Sequence, residues 1–182
     1  MQVRRTALAL LALGLLAAGG VRAGERYGLG KVAAPEEFAG WDIDVSPDGA
    51  GLPPGQGSVA DGEAVYAAKC AVCHGAQGEG KPMDRLVGGF GTVFDMKSVR
   101  TVGSYWPYAT TLFDYVRRAM PLNAPQSLSP DEVYAVSAYL LFLNKLLPAD
   151  ATLDASTLPK IEMPNRANFV SAYPQPAANT RK

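Results

Sequence analysis

One histidine and two cysteines are all that the 182 residues supply, and that scarcity narrows the chemistry. A structural zinc site needs four ligands, and beyond Cys70, Cys73 and His74 there is no second His or further Cys to complete one. Both thiols lie within one five-residue stretch, so none is left to cross-link distant parts of the chain. Charge of one sign is lacking too, with 17 basic residues against 17 acidic. No long hydrophobic run occurs beyond the N-terminus. The apolar stretch Thr6–Ala18 there is shorter than the roughly 20 residues a membrane-spanning helix requires.

That first stretch reads as an export signal. Arg4 and Arg5 precede the apolar run, and Val21-Arg22-Ala23 places small residues where a signal peptidase cuts, so residues 1–23 are expected to be removed. A retained membrane anchor is the alternative reading. Arg4, Arg5 and Arg22 leave with the signal, so 17 less 3 gives 14 basic residues against 17 acidic, a formal charge of −3. A field of that sign disfavours nucleic-acid partners. Export places the mature chain in the periplasm, with no membrane span after processing.

Residues 24–57 are rich in glycine, proline and acidic side chains, which excludes long helices and predicts an irregular extension. Trp41 and Ile43 are its expected anchors, and it reads equally as a partner-binding arm or a plain leader. A helix is expected over about Ala60–Ala71, with Val65, Ala68 and Val72 at helical spacing. A glycine-rich loop, Gly75–Gly91, follows, in which backbone can approach a flat ligand. A second helix is expected over about Tyr108–Ala119. The last has an explicit start: Ser129 as N-cap, Pro130 in the first turn and Glu132 closing a capping box. Its apolar stripe runs Val133, Val136, Leu140, Leu143, Leu147, and Pro148 stops it. The proline-containing tail, 148–182, is expected to lie extended on the surface, with order gained only against a partner as the alternative reading.

Cys70-Ala71-Val72-Cys73-His74 is a C-x-x-C-H sequence, the pattern of covalent c-type haem attachment. Two thiols three residues apart at a helix end can each bond one vinyl group, and the adjacent imidazole then faces the iron. A thioredoxin-like dithiol would follow a strand, whereas this one ends a helix. With one histidine, the second axial ligand should be a methionine thioether, which raises the reduction potential. Met83 and Met96 stand close to the motif, Met163 lies in the tail, and Met120 ends a helix before Pro121, so Met120 is the expected ligand. Met83 is read as core filler. Haem propionates need donors: Arg100, Tyr105 and Trp106 suit that task, with ordinary core packing as the alternative for each. Arg117 and Arg118 read either as a basic rim for an acidic partner or as cations suited to a helix C-terminus.

From Ser58 to Leu147 these features resemble class I cytochrome c, an all-α fold around covalent haem c. Gly62 and Tyr66 resemble that family's small and aromatic pair on the first helix, and Ala138-Tyr139-Leu140 the matching patch on the last. The resemblance implies that the Pro82 carbonyl accepts the His74 Nδ1–H bond. The stretch from Thr101 through Tyr115 to Arg117-Arg118-Ala119-Met120-Pro121 is similar to cytochrome subunits of bacterial sulfur-compound dehydrogenases, above all the sulfane dehydrogenase of the Sox system. So are Pro47–Gly55, Leu158-Pro159 and Met163–Arg166. Some members of that group carry two haem domains, whereas this chain has one motif, as the related sulfite dehydrogenase cytochromes do. The resemblance implies electron transfer from a molybdenum-containing sulfane or sulfite dehydrogenase subunit to a downstream cytochrome or oxidase. A thiosulfate-oxidising or peroxidase-like haem enzyme, and a free carrier to an oxidase, are the rival readings.

Overall fold

The computed structural model describes residues 29–170 and residue 172. The expected signal peptide and the last part of the tail lie outside them. The chain divides into two compact units, Met1–Ala39 and Gly40–Lys182. In the first, the described residues carry one short helix, α1 (Pro35–Phe38), beside a Lys31–Glu37 ion pair of 3.1 Å.

The second unit is helical with one small sheet. Its elements are β1 (Gln56–Ser58), α2 (Val59–Lys69), α3 (Ala71–His74), α4 (Ala109–Ala119), α5 (Pro130–Leu143) and β2 (Thr152–Asp154), then 3₁₀ turns at Leu158–Lys160 and Arg166–Asn168. The all-α expectation is corrected by the antiparallel pair β1–β2, in register Gln56↔Asp154, Gly57↔Leu153, Ser58↔Thr152. Three-residue strands leave no alternating pattern long enough to read.

α5 is the central element; Val133 through Leu141 are all buried. It begins as its sequence dictates: Ser129 Oγ accepts from the Glu132 amide at 3.2 Å, and Glu132 Oε2 accepts from the Ser129 amide at 2.8 Å. It ends earlier than its stripe suggests. Asn144 Nδ2 donates to the Leu140 carbonyl, Lys145 adopts φ 61°, and the amides of Lys145 and Leu146 donate to the carbonyls of Phe142 and Leu141. This is the paired closure of a left-handed helix terminus, and it puts Leu147 outside the helix.

α2 crosses α5 closely. A Cβ on Gly62 would lie 1.9 Å from the Ala135 carbonyl oxygen, so only glycine admits this approach. Tyr66 and Tyr139 meet beside it, ring centroids 5.4 Å apart. The core face of α2 is therefore Val59, Gly62 and Tyr66. The expected stripe is wrong on this point: Ala68 and Val72 are exposed. α4 packs on α5 through Phe113 and Tyr134, centroids 4.5 Å apart.

Both flanks of this helical body differ from expectation. Trp41 is 85% exposed, and Val45 and Leu52 pack against the core in its place, with Ile43 half-buried. The tail does more than lie on the surface. Leu153, Leu158 and Met163 are buried core residues, and Asn165 Nδ2 donates to the Tyr105 carbonyl at 2.6 Å.

Candidate cofactor site

α2 stops at Cys70, whose backbone leaves the helical region (φ −120°, ψ −38°), and α3 restarts at once. The amides of Cys73 and His74 both donate to the Cys70 carbonyl, at 3.1 and 3.0 Å. This single tight turn gathers two free, half-buried thiols and one imidazole. Burial pushes the Cys70 thiol up to about 11.

The loop after His74 folds back on it. The Gly80 amide donates to the His74 carbonyl at 2.8 Å and the Met83 amide to the Cys73 carbonyl at 2.9 Å. His74 Nδ1 lies 2.8 Å from the carbonyl oxygen of Asp84. A carbonyl only accepts, so this contact puts the ring proton on Nδ1 and leaves the Nε2 lone pair free for a metal. The acceptor expected at Pro82 is thus corrected to Asp84. Lys81 (φ 86°) donates its amide to the Met83 carbonyl, and that tight turn leaves Pro82 exposed while Asp84 faces the imidazole.

Met120 caps the C-terminus of α4 in extended conformation and is half-buried against the core. Met83, expected as filler, is 47% exposed, and Met96 is fully exposed; Met163 is the methionine that fills the core. Arg100 stacks over Tyr105 at 4.9 Å from the ring centroid, and Trp106 meets Tyr115 edge-on at 5.6 Å. Arg117 and Arg118 stand in the last turn of α4, as the helix-terminus reading expects, but neither reading anticipates the bonds they make. Arg118 makes two bonds to Asp114, at 3.0 and 2.8 Å, and a further one to Asp44. Those hydrogen bonds, Asp114 first, raise the guanidinium above its ordinary pKa. Arg117 donates to the Ile43 carbonyl at 3.3 Å, and the Val45 amide donates to Asp114 at 3.0 Å. The two arginines hold segment 43–45 against α4.

A family model described as cytochrome c oxidase, cbb3-type, subunit III matches residues 57–140. A chain of the sulfane dehydrogenase SoxCD from Paracoccus pantotrophus is 45% identical with a TM-score of 0.76, over 80% of this chain and 72% of that one. This chain belongs to the cytochrome c family.

Further relatives of this cytochrome c are thiosulfate dehydrogenases. That of Stutzerimonas stutzeri is 30% identical over 64% of this chain and 36% of its own length; that of Allochromatium vinosum is 35% identical over 44% and 29%. The cytochrome thus spans about a third of the length of these curated relatives. Haem c is the family's cofactor, and the donor set here suits it. Two thiols and an oriented imidazole converge on one turn. Among the described residues no group of three or more His, Cys, Asp or Glu side chains could hold a metal ion. Sequence reasoning missed Asp84, Asp114 and Asn144. Asp84 acts through its backbone, which carries no residue signature. Asn144, a lone polar side chain ending an apolar stripe, was a signal that could have been used.

Proposed function

We propose that this cytochrome c is an exported, single-haem electron carrier serving as the cytochrome subunit of a molybdenum-containing sulfane or sulfite dehydrogenase. The observation that carries the reading is its 45% identity, over most of both chains, to a chain of the SoxCD sulfane dehydrogenase. Residues 1–23 act as the leader to the periplasm, 58–147 form the haem-binding domain, and 24–57 and 148–182 are its extensions.

Bound haem c supplies a one-electron couple at its iron. Cys70 and Cys73 would hold the haem, each thiol adding across one vinyl group to leave a thioether, and α3 sets their spacing. His74 presents Nε2, oriented and made more basic by its Nδ1–H bond to the Asp84 carbonyl. Met120 presents its sulfur from the end of α4. Arg100, steadied over Tyr105, is the charged donor for a propionate; Trp106 serves chiefly to pack. The thiosulfate dehydrogenase relatives favour one second reading, an enzyme acting on thiosulfate at an open iron position.

The full-length chain, expressed in an exporting, haem-maturing host, should retain colour after denaturation, with one haem per chain. Its ferric form should show the weak far-red band of methionine ligation. Met120→Ala should abolish that band and lower the potential. A molybdenum dehydrogenase copurifying with the chain should reduce it rapidly on addition of a sulfane compound or sulfite. A colourless product defeats the proposal, and a wild type lacking the far-red band favours the enzyme.

A further inference from the structure

We infer that Asn144 is a positioning residue for the His74 ligand, acting through the loop that carries the Asp84 carbonyl; this rests on His74 being a haem ligand. Asn144 is 2% exposed, and each of its polar atoms is bonded. Closing α5 needs only the bond from Nδ2 to the Leu140 carbonyl, at 2.9 Å. The other two bonds reach far back along the chain. Oδ1 accepts from the Gly88 amide at 3.1 Å, and Nδ2 donates to the Leu86 carbonyl at 3.2 Å.

Those two groups end the loop that begins at His74. Within it the amides of Leu86 and Val87 both donate to the Gly78 carbonyl, at 2.8 and 3.1 Å, and the Gly80 amide donates to His74. Asp84 sits inside this closed frame, two residues before Leu86, the first that Asn144 grips. A second clamp acts on the same end, where Thr101 Oγ1 donates to the Gly88 carbonyl at 2.6 Å. Gly103 shows how tightly the arrangement is fitted: a Cβ there would lie 2.2 Å from Asn144 Oδ1 and 2.5 Å from its Cγ. The buried amide therefore fixes the loop end to the most deeply buried helix, and through it the distance from Asp84 O to Nδ1.

That distance has an electronic consequence. A strong Nδ1–H···O=C bond makes Nε2 a better donor, which favours ferric iron and holds the potential down. Releasing the loop weakens the bond and raises the potential. A helix cap with no further role would cost stability and leave the potential where it was.

The test uses the haem-loaded full chain. Asn144→Leu should shift the potential to more positive values and speed solvent exchange of the His74 Nδ1 proton in the ferrous protein. Leu158→Ala, in the tail, removes core packing without touching the loop and should lower stability while leaving both readouts at wild-type values. Thr101→Val releases the second clamp and should move both in the same direction by less, which keeps the idea testable if Asn144→Leu does not mature. Potentials and exchange rates in Asn144→Leu and Thr101→Val equal to those of Leu158→Ala would overturn the inference. A wild type without His-ligated haem would instead overturn the functional reading beneath it.

Discussion

Tyr66 carries the clearest pH signature of any single residue. Its hydroxyl donates to the Gly75 carbonyl at 2.8 Å, and burial pushes its phenol up to about 12. Tyr134 is likewise pushed to about 12 by burial. An unfolded tyrosine ionises near 10. Below that pH both states hold the proton and stability is intact. Between about 10 and 12 the unfolded chain gives it up and the folded one does not, so stability falls as pH rises through that window. Tyr66→Phe should cost about 1 kcal/mol at neutral pH, leaving the Gly75 carbonyl with only the Gly78 amide as donor, at 3.3 Å, and should make the alkaline decline shallower. Denaturant midpoints of both proteins at pH 7 and across pH 10–12 check this, and parallel declines would contradict it. At this scale the sequence is legible where chemistry sits in a side chain at fixed spacing, as with Cys70, Cys73 and His74. It is opaque where a backbone carbonyl acts, as at Asp84. It misleads where a charge is spent internally: the guanidinium of Arg118 is bound to Asp114 one helical turn away and to Asp44 on a distant segment, and no local pattern announces the second partner.

Among the elements, the α2–α5 crossing makes the sharpest demand on one position. Gly62→Ala adds a methyl where the Ala135 carbonyl carbon and oxygen and Tyr139 Cβ already stand within 3 Å of it. Alanine favours a helix over glycine by roughly 1 kcal/mol, yet backbone cannot yield as a flexible side chain does. Overpacking costs typically 1–3 kcal/mol, so a net loss of up to about 2 kcal/mol is expected, read as a lower urea midpoint at unchanged slope. A more stable variant would mean that the helices separate freely. The same crossing explains a misread element. Periodicity tallies apolar side chains, and the buried face of α2 has a glycine at its centre, so Val65, Ala68 and Val72 formed the more visible stripe. The start of α5 was legible because Ser129 and Glu132 are local to it. Its end was not, because Asn144 terminates the helix while bonding to a loop 56 and 58 residues earlier in the chain.

For the whole molecule, the question is whether the tail belongs to the fold or waits for a partner. Leu153, Leu158 and Met163 follow neither a strand's nor a helix's spacing, so nothing in the tail's pattern reveals that each is buried. Leu153 sits in β2 opposite Gly57 of β1, and the Val59 amide donates to the Ala151 carbonyl at 3.0 Å. The tail is thereby tied to the strand that leads into the motif-bearing helix. Two substitutions separate the possibilities in the isolated chain. Leu158 is fully buried, and Leu158→Ala should cost about 2–5 kcal/mol, the range for truncating a large core side chain. Phe169, near the end of the described tail, is 44% exposed and touches Tyr105 edge-on at 5.5 Å. Phe169→Ala should cost roughly 0.5–1.5 kcal/mol, the worth of an exposed aromatic contact. Urea unfolding of each variant without any partner gives the answer. A tail that folds only on a partner would leave both midpoints at the wild-type value, whereas an integral tail makes Leu158→Ala several times the more damaging.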